Sequence, residues 1–591
     1  MVIMIPKTVH DFVEKIVKGK HPLNKGKPIV AHQANVLEII KELVTSNTAE
    51  GTGVVTKREV KGVSTKDSGK DKTLIRFAVS DGENSVQCVA HNCNEKYGLG
   101  SGLKAEVLTA YDTIIRKSLS DGKAVKIKGL FANFKSERVF IIDEIAWAED
   151  IHKAQIDDKI VDAFIAECGK TLVDDVREDG TPYKRPYNPL DVMMDNEGLW
   201  AEIYADDDLK QAILLYCLSP FDKEDMIHIG LITNPGEGKN HLVDKVITPL
   251  VRCRMAGTGK LSTFAAMFGA MSSDDLNSIE LGLLPKMNHD RIVFSEFQTL
   301  EEDVFGEMLN VMTDGHYNLQ KGKLDVTRHA MLNMAFFGNP PNYWNETDHK
   351  KEEMLSAFGK YTMPIISRLT LIFAKPTLSN GVDATNKIKD KIMQNMDKKA
   401  RKGKNLDKIN NLRLFFREYL KLVSRYQPEL DVWKWLITGL FEEIEAKPEF
   451  KDAFAKRGKT DYRKWAEFLN LVKGFARLRG RKKLEMEDIN SASELFQESL
   501  ETLTASFSRA ALNGTVDYAM VELNRKVLHK FKMNDMQAQG KKADILKFVK
   551  SLPNGYKTWQ AMTKTKRPCG GDVVENWSGG EYVVHRIDGG N

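Results

Sequence analysis

The chain has 591 residues, which at roughly 100 to 200 residues per domain implies about three to five domains and excludes a single small binding module. Hydrophobic residues make up 42% and charged residues 29%, a globular balance that excludes disorder throughout. Lysine plus arginine total 87 against 82 aspartate plus glutamate; a net charge of only +5 excludes coating of nucleic acid by bulk charge and leaves local patches as the means of contact.

Six sparsely spaced cysteines (Cys88, Cys93, Cys168, Cys217, Cys253, Cys569) read as reduced intracellular thiols rather than a disulfide framework. Met1 to Pro6 is too short for a signal sequence, and no apolar run approaches the ~20 residues needed to span a bilayer. The expectation is a soluble intracellular protein with no membrane partner, cytoplasmic and nucleoid-associated, or nuclear in a eukaryote.

Residues 1–50 carry apolar spacing suited to short helices (Val9, Phe12, Val13, Ile16; Val36, Ile39, Ile40, Leu43) and predict a helical cap. Residues 51–150 change to short alternating runs, 74–79, 86–90, 105–109, 125–130 and 139–142, which predict a five-stranded barrel. Such a barrel suits an oligonucleotide-binding (OB) fold, with Arg116, Lys117, Lys123, Lys126, Lys128 and Phe131 on a loop and strand able to hold a single strand; the alternative is a solvated basic hairpin on a structural barrel. Cys88, His91 and Cys93 cluster, but a zinc ribbon needs a second ligand pair and none follows, so zinc is not expected.

Residues 151–195 are polar and Pro-rich and predict a linker. From 196 to 376, helices alternate with strongly apolar strands, the pattern of an α/β layer with a buried parallel sheet. Residues 377–510 read as helical, with a basic run at 398–404 and another at Arg477, Arg479, Arg481, Lys482 and Lys483. The tail, 511–591, reads as helices closed by a hairpin (573–577 and 581–585), a winged-helix pattern.

Within the α/β region, Ile227 to Thr233 reads as a buried strand that runs into Asn234, Pro235, Gly236, Glu237, Gly238, Lys239 and Asn240, with His241 opening a helix. A phosphate loop needs inward amides, glycines where side chains would block them, a lysine for the terminal phosphates and a helix start. Gly236, Gly238 and Lys239 suit those roles, although Thr233 and Asn240 replace the first glycine and the hydroxyl of the strict motif. A second candidate at 256–260 (Ala-Gly-Thr-Gly-Lys) is set aside, because Lys260 is followed by Leu261 and the preceding segment 252–255 is too charged for a central strand.

A second apolar strand, 291–297, ends in Ser295 and Glu296, placing a carboxylate where a water is to be polarised. A third, 331–337, leads to Asn339, an amide able to orient that water. Arg368 stands at the start of a fourth strand, where an arginine can neutralise transition-state charge. Singly, each but Lys239 has an ordinary structural reading; their shared order along one domain is what carries weight.

Together these segments resemble the minichromosome maintenance (MCM) replicative helicases, a branch of the AAA+ ATPases. The resemblance covers about 199 to 495. The stretch 203–214 is similar to the helix entering the family's ATPase domain, and 234–242 to its Asp-Pro-Gly-x-Ala-Lys-Ser loop. Gly257-Thr258-Gly259-Lys260 resembles the Thr-Gly-Lys segment that follows that loop, Ser295-Glu296-Phe297 its Asp-Glu-Phe, Asn339-Pro340 its sensor-one Asn-Pro, and Ser367-Arg368-Leu369 its arginine finger. Arg463 falls on the sensor-two arginine. Lys321-Gly322-Lys323 falls on the hairpin whose lysine touches DNA in the family's central channel, so Lys321, with Lys323, is the expected DNA contact.

The resemblance implies an α/β multidomain protein with a helical cap, an OB-type barrel, an AAA+ core with a helical lid and a winged helix. It implies a homohexamer acting on single-stranded or forked DNA, with ATP and Mg2+ between protomers. Glu296, Asn339, Arg368 and Arg463 would be catalytic. Asn240 and Ser295 depart from the family's magnesium-organising hydroxyl and aspartate, so weak metal binding and slow or conditional hydrolysis are expected.

Overall fold

The computed structural model describes residues 5–24, 26–29, 39–40, 43, 48–63, 72–81, 84–91, 103–134, 137–148, 153–176, 181–256, 263–271, 279–297, 300–321, 324–340, 365, 367–375, 404–450, 462–513, 518–534, 537–552, 555–564, 573–577 and 579–585. They show an α/β protein and fall into two compact units. One lies within Met1–Lys350, Met354–Ile444 and Lys459–Ser499, the other within Lys351–Glu353, Glu445–Gly458 and Leu500–Asn591.

In the first unit, α1 (Lys7–Val17) buries Val9, Phe12, Val13 and Ile16, the stripe that its 3–4 spacing dictates. That stripe does not form a separate cap. Phe12 lies 5.9 Å from Phe164, on the helix Asp158–Cys168, and Phe164 lies 4.7 Å from Phe415 on a later helix, so the N-terminus joins the helical layer of the α/β region.

Five strands follow, β1 (Thr48–Val63), β2 (Lys72–Ser80), β3 (Ser85–His91), β4 (Ala124–Phe134) and β5 (Glu137–Trp147), closed into a barrel in the order β1-β2-β3-β5-β4. All pairs are antiparallel except β3 with β5. A bulge between Lys128 and Gly129 bends β4, and a Cβ at Gly129 would meet the Ile141 carbonyl at 1.9 Å, so only glycine allows the approach.

The membership of the barrel differs from expectation. Residues 105–109 open a helix, α2 (Ala105–Asp121), whose buried Leu108, Ile115 and Leu119 follow the helical period. The fifth strand is instead β1, whose glycine-rich start reads as a turn in sequence. A five-residue apolar run cannot by itself separate strand from helix.

Residues 151–195 are not a linker. They hold α3 (Asp158–Cys168), a hairpin β6 (Leu172–Val176) with β7 (Pro182–Pro186), and α4 (Pro189–Met194). Asn188 caps α4 through a capping box, and Arg185 bridges Asp175 and Asp191, each at 2.6 Å. The polar residues that suggest a linker are spent on caps and ion pairs, while Phe164, Tyr187 and Val192 are buried.

Helix α5 (Asp207–Leu218), capped by Asp206, precedes the central sheet. The sheet comprises β8 (Ile229–Ile232), β9 (Cys253–Ala256), β12 (Asp290–Ser295), β15 (Leu332–Gly338) and β16 (Leu371–Ala374), wholly parallel, in the order β16-β8-β15-β12-β9. β8, β12, β15 and β16 are buried along their whole length, as parallel strands covered on both faces must be. The segment judged too charged for a central strand is β9, an edge strand, where Arg252 beside it reaches Asp290 at 2.8 Å.

Helix α6 (residues 239–250) lies between β8 and β9; between β9 and β12 stand α7 (Phe264–Phe268), a hairpin β10 (Gly269–Met271) with β11 (Ile279–Leu281) that sequence reading missed, and α8 (Leu283–Lys286). Between β12 and β15 come α9 (Glu302–Asp314) and the hairpin β13 (His316–Lys321) with β14 (Leu324–His329). Tyr317 of β13 packs edge-on against Phe268, joining the β13–β14 hairpin to α7.

Helices α10 (Lys404–Val423), α11 (Lys434–Ala446), α12 (Tyr462–Leu478) and α13 (Met486–Asn513) follow. The basic run 398–403 lies outside the described residues. The run at 477–483 is only partly a surface feature: Arg477 is 1% exposed and pairs with Asp225 at 2.6 Å, and Arg479 is buried against Asp488 at 2.9 Å. These arginines are structural. Arg477→Ala leaves a buried carboxylate partnered by Lys473 alone, and is expected to destabilise the fold by about 3 kcal/mol, read as a lowered midpoint in chemical denaturation.

The second unit contains α14 (Tyr518–Lys530), β17 (Lys532–Asn534), β18 (Gln537–Lys541), α15 (Lys542–Lys550), α16 (Gly555–Met562), β19 (Val574–Trp577) and β20 (Glu581–His585). The sheet runs β17-β18-β20-β19. Its core gathers Val527, Ala538, Ile545, Val549, Trp559, Met562 and Val584. The expected hairpin is β19–β20, turned through Gly579 and Gly580, both at positive φ. Among the described residues, no helix is long and apolar enough to cross a membrane.

Candidate nucleotide-binding site

Parallel strands end on one edge, so the carboxyl ends of the neighbours β8, β15 and β12 deliver their following residues side by side. β8 runs into the loop Thr233 to Gly238, and helix α6 begins at Lys239; α6 spans 239–250 as an α-turn Lys239–Leu242, a π-turn Val243–Ile247 and Thr248–Leu250. Gly236 and Gly238 adopt φ of 87° and 86°, the left-handed region that a side chain would strain. They turn the loop back so that Lys239 lies beneath it. Thr233 and Asn234 are buried, Pro235 is exposed, and His241 faces solvent on the first turn.

The Lys239 ammonium donates to the Thr233 carbonyl at 2.9 Å, the Asn234 carbonyl at 3.0 Å and Asn339 Oδ1 at 2.6 Å. The last bond joins the loop to the end of β15, and Thr233 N donates to the Gly338 carbonyl at 3.2 Å. Ser295 Oγ, at the end of β12, donates to Asn240 Oδ1 at 3.2 Å. Lys239, Asn240, Ser295 and Asn339, chosen from three separate stretches of sequence, therefore meet at one place.

Glu296 follows Ser295 with φ of 56°, one of two non-glycine residues at positive φ among those described, and it is exposed at the sheet edge. Holding a glutamate there costs on the order of 1 kcal/mol. Its carboxylate acts electrostatically on Lys239, as does that of Glu237.

Burial pushes Lys239 down from 10.5 to about 8, against the raising influence of those two carboxylates. Burial also raises Glu237. An anion arriving at the loop needs the ammonium charged, so its binding takes up a proton wherever the free lysine has lost one. Nucleotide affinity is accordingly expected to fall as pH rises through about 8, by up to tenfold per unit. Calorimetry in buffers of differing ionisation enthalpy checks this: proton uptake approaching one at pH 9 is expected, and absent at pH 6.5.

The two arginines are brought together, but not here. Arg368 precedes β16, which pairs with β8 as Leu371↔Ile229 through Ala374↔Ile232. Arg368 is thus at the amino edge of the sheet and the Lys239 loop at the carboxyl edge, with roughly 10 Å of strand between them at ~3.3 Å per residue. Arg368 Nε donates to Thr313 Oγ1 at 2.7 Å on α9. Arg463 Nη1 donates to the Ser367 carbonyl at 3.4 Å and to its hydroxyl at 3.3 Å. Burial, then the charge of Arg463, lowers the Arg368 pKa, against the raising influence of Asp314, so the two guanidinium groups lie within electrostatic reach of each other.

Lys321 closes β13 at the hairpin tip, and Lys323 lies outside the described residues, as does Lys260. The barrel residues are placed differently from expectation. Arg116 and Lys117 belong to α2, Arg116 pairs with Asp112 at 2.9 Å, and Lys126 and Lys128 pair with Glu50 and Glu144 across strands. Lys123 is exposed between α2 and β4, while Phe131 is buried against Phe140. The barrel face therefore offers no stacking ring at Phe131, and cross-strand carboxylates compensate part of its charge. Cys88 is buried, and burial raises its thiol pKa; Cys93 lies outside the described residues.

Sequence reading missed Thr313, which accepts from Arg368, and took Ser367 only as the neighbour of Arg368 without its contact to Arg463. A hydroxyl one residue from a helix end carries no pattern of its own, and only the fold brings Thr313 to Arg368. Neither the models of known protein families nor the curated proteins, when searched with this chain, give a match.

Proposed function

We propose that the chain is an ATP-driven DNA helicase or translocase resembling the MCM branch of the AAA+ ATPases, working as a hexameric ring. The observation that carries the reading is the split of the charged groups. Lys239, Asn240, Ser295, Glu296 and Asn339 converge at the carboxyl edge of a parallel sheet ordered β16-β8-β15-β12-β9, while Arg368 and Arg463 gather at the amino edge. A protomer holding both sets out of each other's reach completes a site only against a second copy, and head-to-tail contacts of that kind close into rings. The barrel of order β1-β2-β3-β5-β4 supports an OB fold, and the second unit, with three helices and the β19–β20 hairpin, supports a winged helix.

In this mechanism Lys239 exchanges its carbonyl partners for the terminal phosphates of ATP. Glu296 takes the proton from a water that Asn339 orients, and Arg368 and Arg463 of the neighbouring protomer neutralise the charge that builds on the transferred phosphoryl group. Magnesium would supply further neutralisation of the phosphates when bound. Asn240 Oδ1 and Ser295 Oγ, 3.2 Å apart, fit such an ion as two neutral oxygens, a weaker set than the carboxylate usually present. The β13–β14 hairpin with Lys321 would carry DNA through the ring.

That neutral pair favours a second reading, a DNA-binding replication scaffold that binds ATP for ring assembly with little turnover. Steady-state ATP hydrolysis with and without single-stranded DNA, with Lys239→Ala as the blank, separates the two. DNA-stimulated turnover above the blank is the expected result; nucleotide-dependent assembly with turnover equal to the blank leaves the scaffold.

A further inference from the structure

The distribution of charge along the chain singles out one segment. Residues 511–591 hold 13 of the 87 basic residues and 8 of the 82 acidic ones, so the other 510 residues balance at 74 of each. The whole net charge of +5 thus resides in the tail. Within it, residues 541–567 contain eight lysines and arginines and one acid, Asp544.

That stretch includes α15 and α16, separated by four residues in sequence. Ile545 and Val549 on α15, with Trp559 and Met562 on α16, form the buried faces. The outward faces carry Lys547 and Lys550 on α15, Tyr556 and Gln560 on α16, and Lys564 just beyond it, all exposed. Among the described residues Lys547, Lys550 and Lys564 have no carboxylate partner, in contrast to the lysines of the barrel. Lys550 lies instead over the Tyr556 ring at 5.0 Å, which joins the two helices. Beside them β19–β20 ends in a glycine turn with Trp577, 54% exposed.

We infer that this unit binds double-stranded DNA, with α16 in the major groove, Lys547 and Lys550 on the phosphates and the Trp577 hairpin against the flanking backbone. Two helices separated by only four residues can present the second to a major groove about 12 Å wide. The exposed lysines on the first then meet the sugar-phosphate chain, and Gln560 supplies an amide able to pair with adenine. The groove excludes duplex RNA, whose A-form major groove is too deep and narrow for a helix. This site is separate from the nucleotide site and does not rest on ATP turnover: it gives the protein a grip on duplex, where the proposed ring holds a single strand.

The test is fluorescence anisotropy of the full chain with a duplex DNA of about 20 base pairs, and with duplex RNA of the same sequence, over a salt series without nucleotide. Lys547→Glu with Lys550→Glu is expected to weaken duplex DNA binding tenfold or more and to lower the slope of log affinity against log salt by about 2. ATP hydrolysis without DNA is expected to stay unchanged. Hydrogen exchange across 537–585 checks that the unit stays folded; if the double variant unfolds it, Gln560→Glu decides, with weakened duplex binding expected. Unchanged duplex affinity in the folded variant, or equal binding of the RNA duplex, overturns the inference. Loss of DNA-stimulated ATP turnover with duplex binding intact would count against the ring reading alone.

Discussion

Lys239→Ala is expected to abolish ATP turnover and to weaken ATP binding by about 3 kcal/mol, roughly a hundredfold. The side chain is the single buried cation of the loop, held by oxygens of three segments, and no other described cation lies within hydrogen-bond reach of Asn339. Arg368→Ala is expected to abolish turnover as well while leaving ATP affinity within a fewfold, because its guanidinium lies at the opposite edge of the sheet from the protomer's own loop. Mixing the two inactive proteins is the decisive form of the experiment. In a ring with head-to-tail contacts, about a quarter of the interfaces in an equal mixture pair an intact Lys239 with an intact Arg368. Turnover should therefore reappear on mixing. A mixture as inactive as its components would show that the arginines serve no neighbouring site.

Asn240→Thr combined with Ser295→Asp is expected to raise kcat by at least tenfold. Both positions sit where the proposed site would hold phosphate, already in contact through a hydrogen bond. The pair of substitutions places a hydroxyl and a carboxylate where two neutral oxygens now stand, which strengthens magnesium binding and neutralises phosphate charge more completely. Asn240 is exposed, whereas Ser295 is buried at the end of its strand, so the aspartate must direct its carboxylate towards position 240, where the Ser295 hydroxyl already points. The comparison of kcat against magnesium concentration reads the effect directly: the half-saturating concentration should fall together with the rise in rate. A double variant with higher magnesium affinity but unaltered kcat would place the slow step elsewhere, in motion or product release.

Much of the α/β region is legible in the amino-acid sequence, for a physical reason. Parallel strands covered on both faces must be continuously apolar, so 227–233, 291–297 and 331–337 stand out and differ from β8, β12 and β15 only at their ends. The loop residues are legible because Gly236 and Gly238 must be glycine, and Lys239 opens a helix directly after a strand. Where the pattern is weaker the reading slips. The run 105–109 is too short to distinguish helix from strand, β1 is disguised by Gly51 and Gly53, and β9 tolerates charge because it is an edge. The stretch 151–195 reads as a linker because its polar residues are visible in sequence and the ion pairs of Arg185 are not.

By itself, the sequence determined which residues are candidates for the proposed chemistry and in what order: a loop lysine, a strand-end carboxylate, an amide and two arginines, with a net charge confined to the tail. The tertiary structure decided which of them share a site. Strand order, which no local pattern encodes, brings the ends of β8, β12 and β15 together and leaves Arg368 on the far edge with Arg463. It also decided which charges remain available. Pairing depends on neighbours distant in sequence, so Arg477 and Arg479 are consumed in the core, Lys126 and Lys128 are compensated across strands, and Lys547 and Lys550 stay without a carboxylate partner among the described residues.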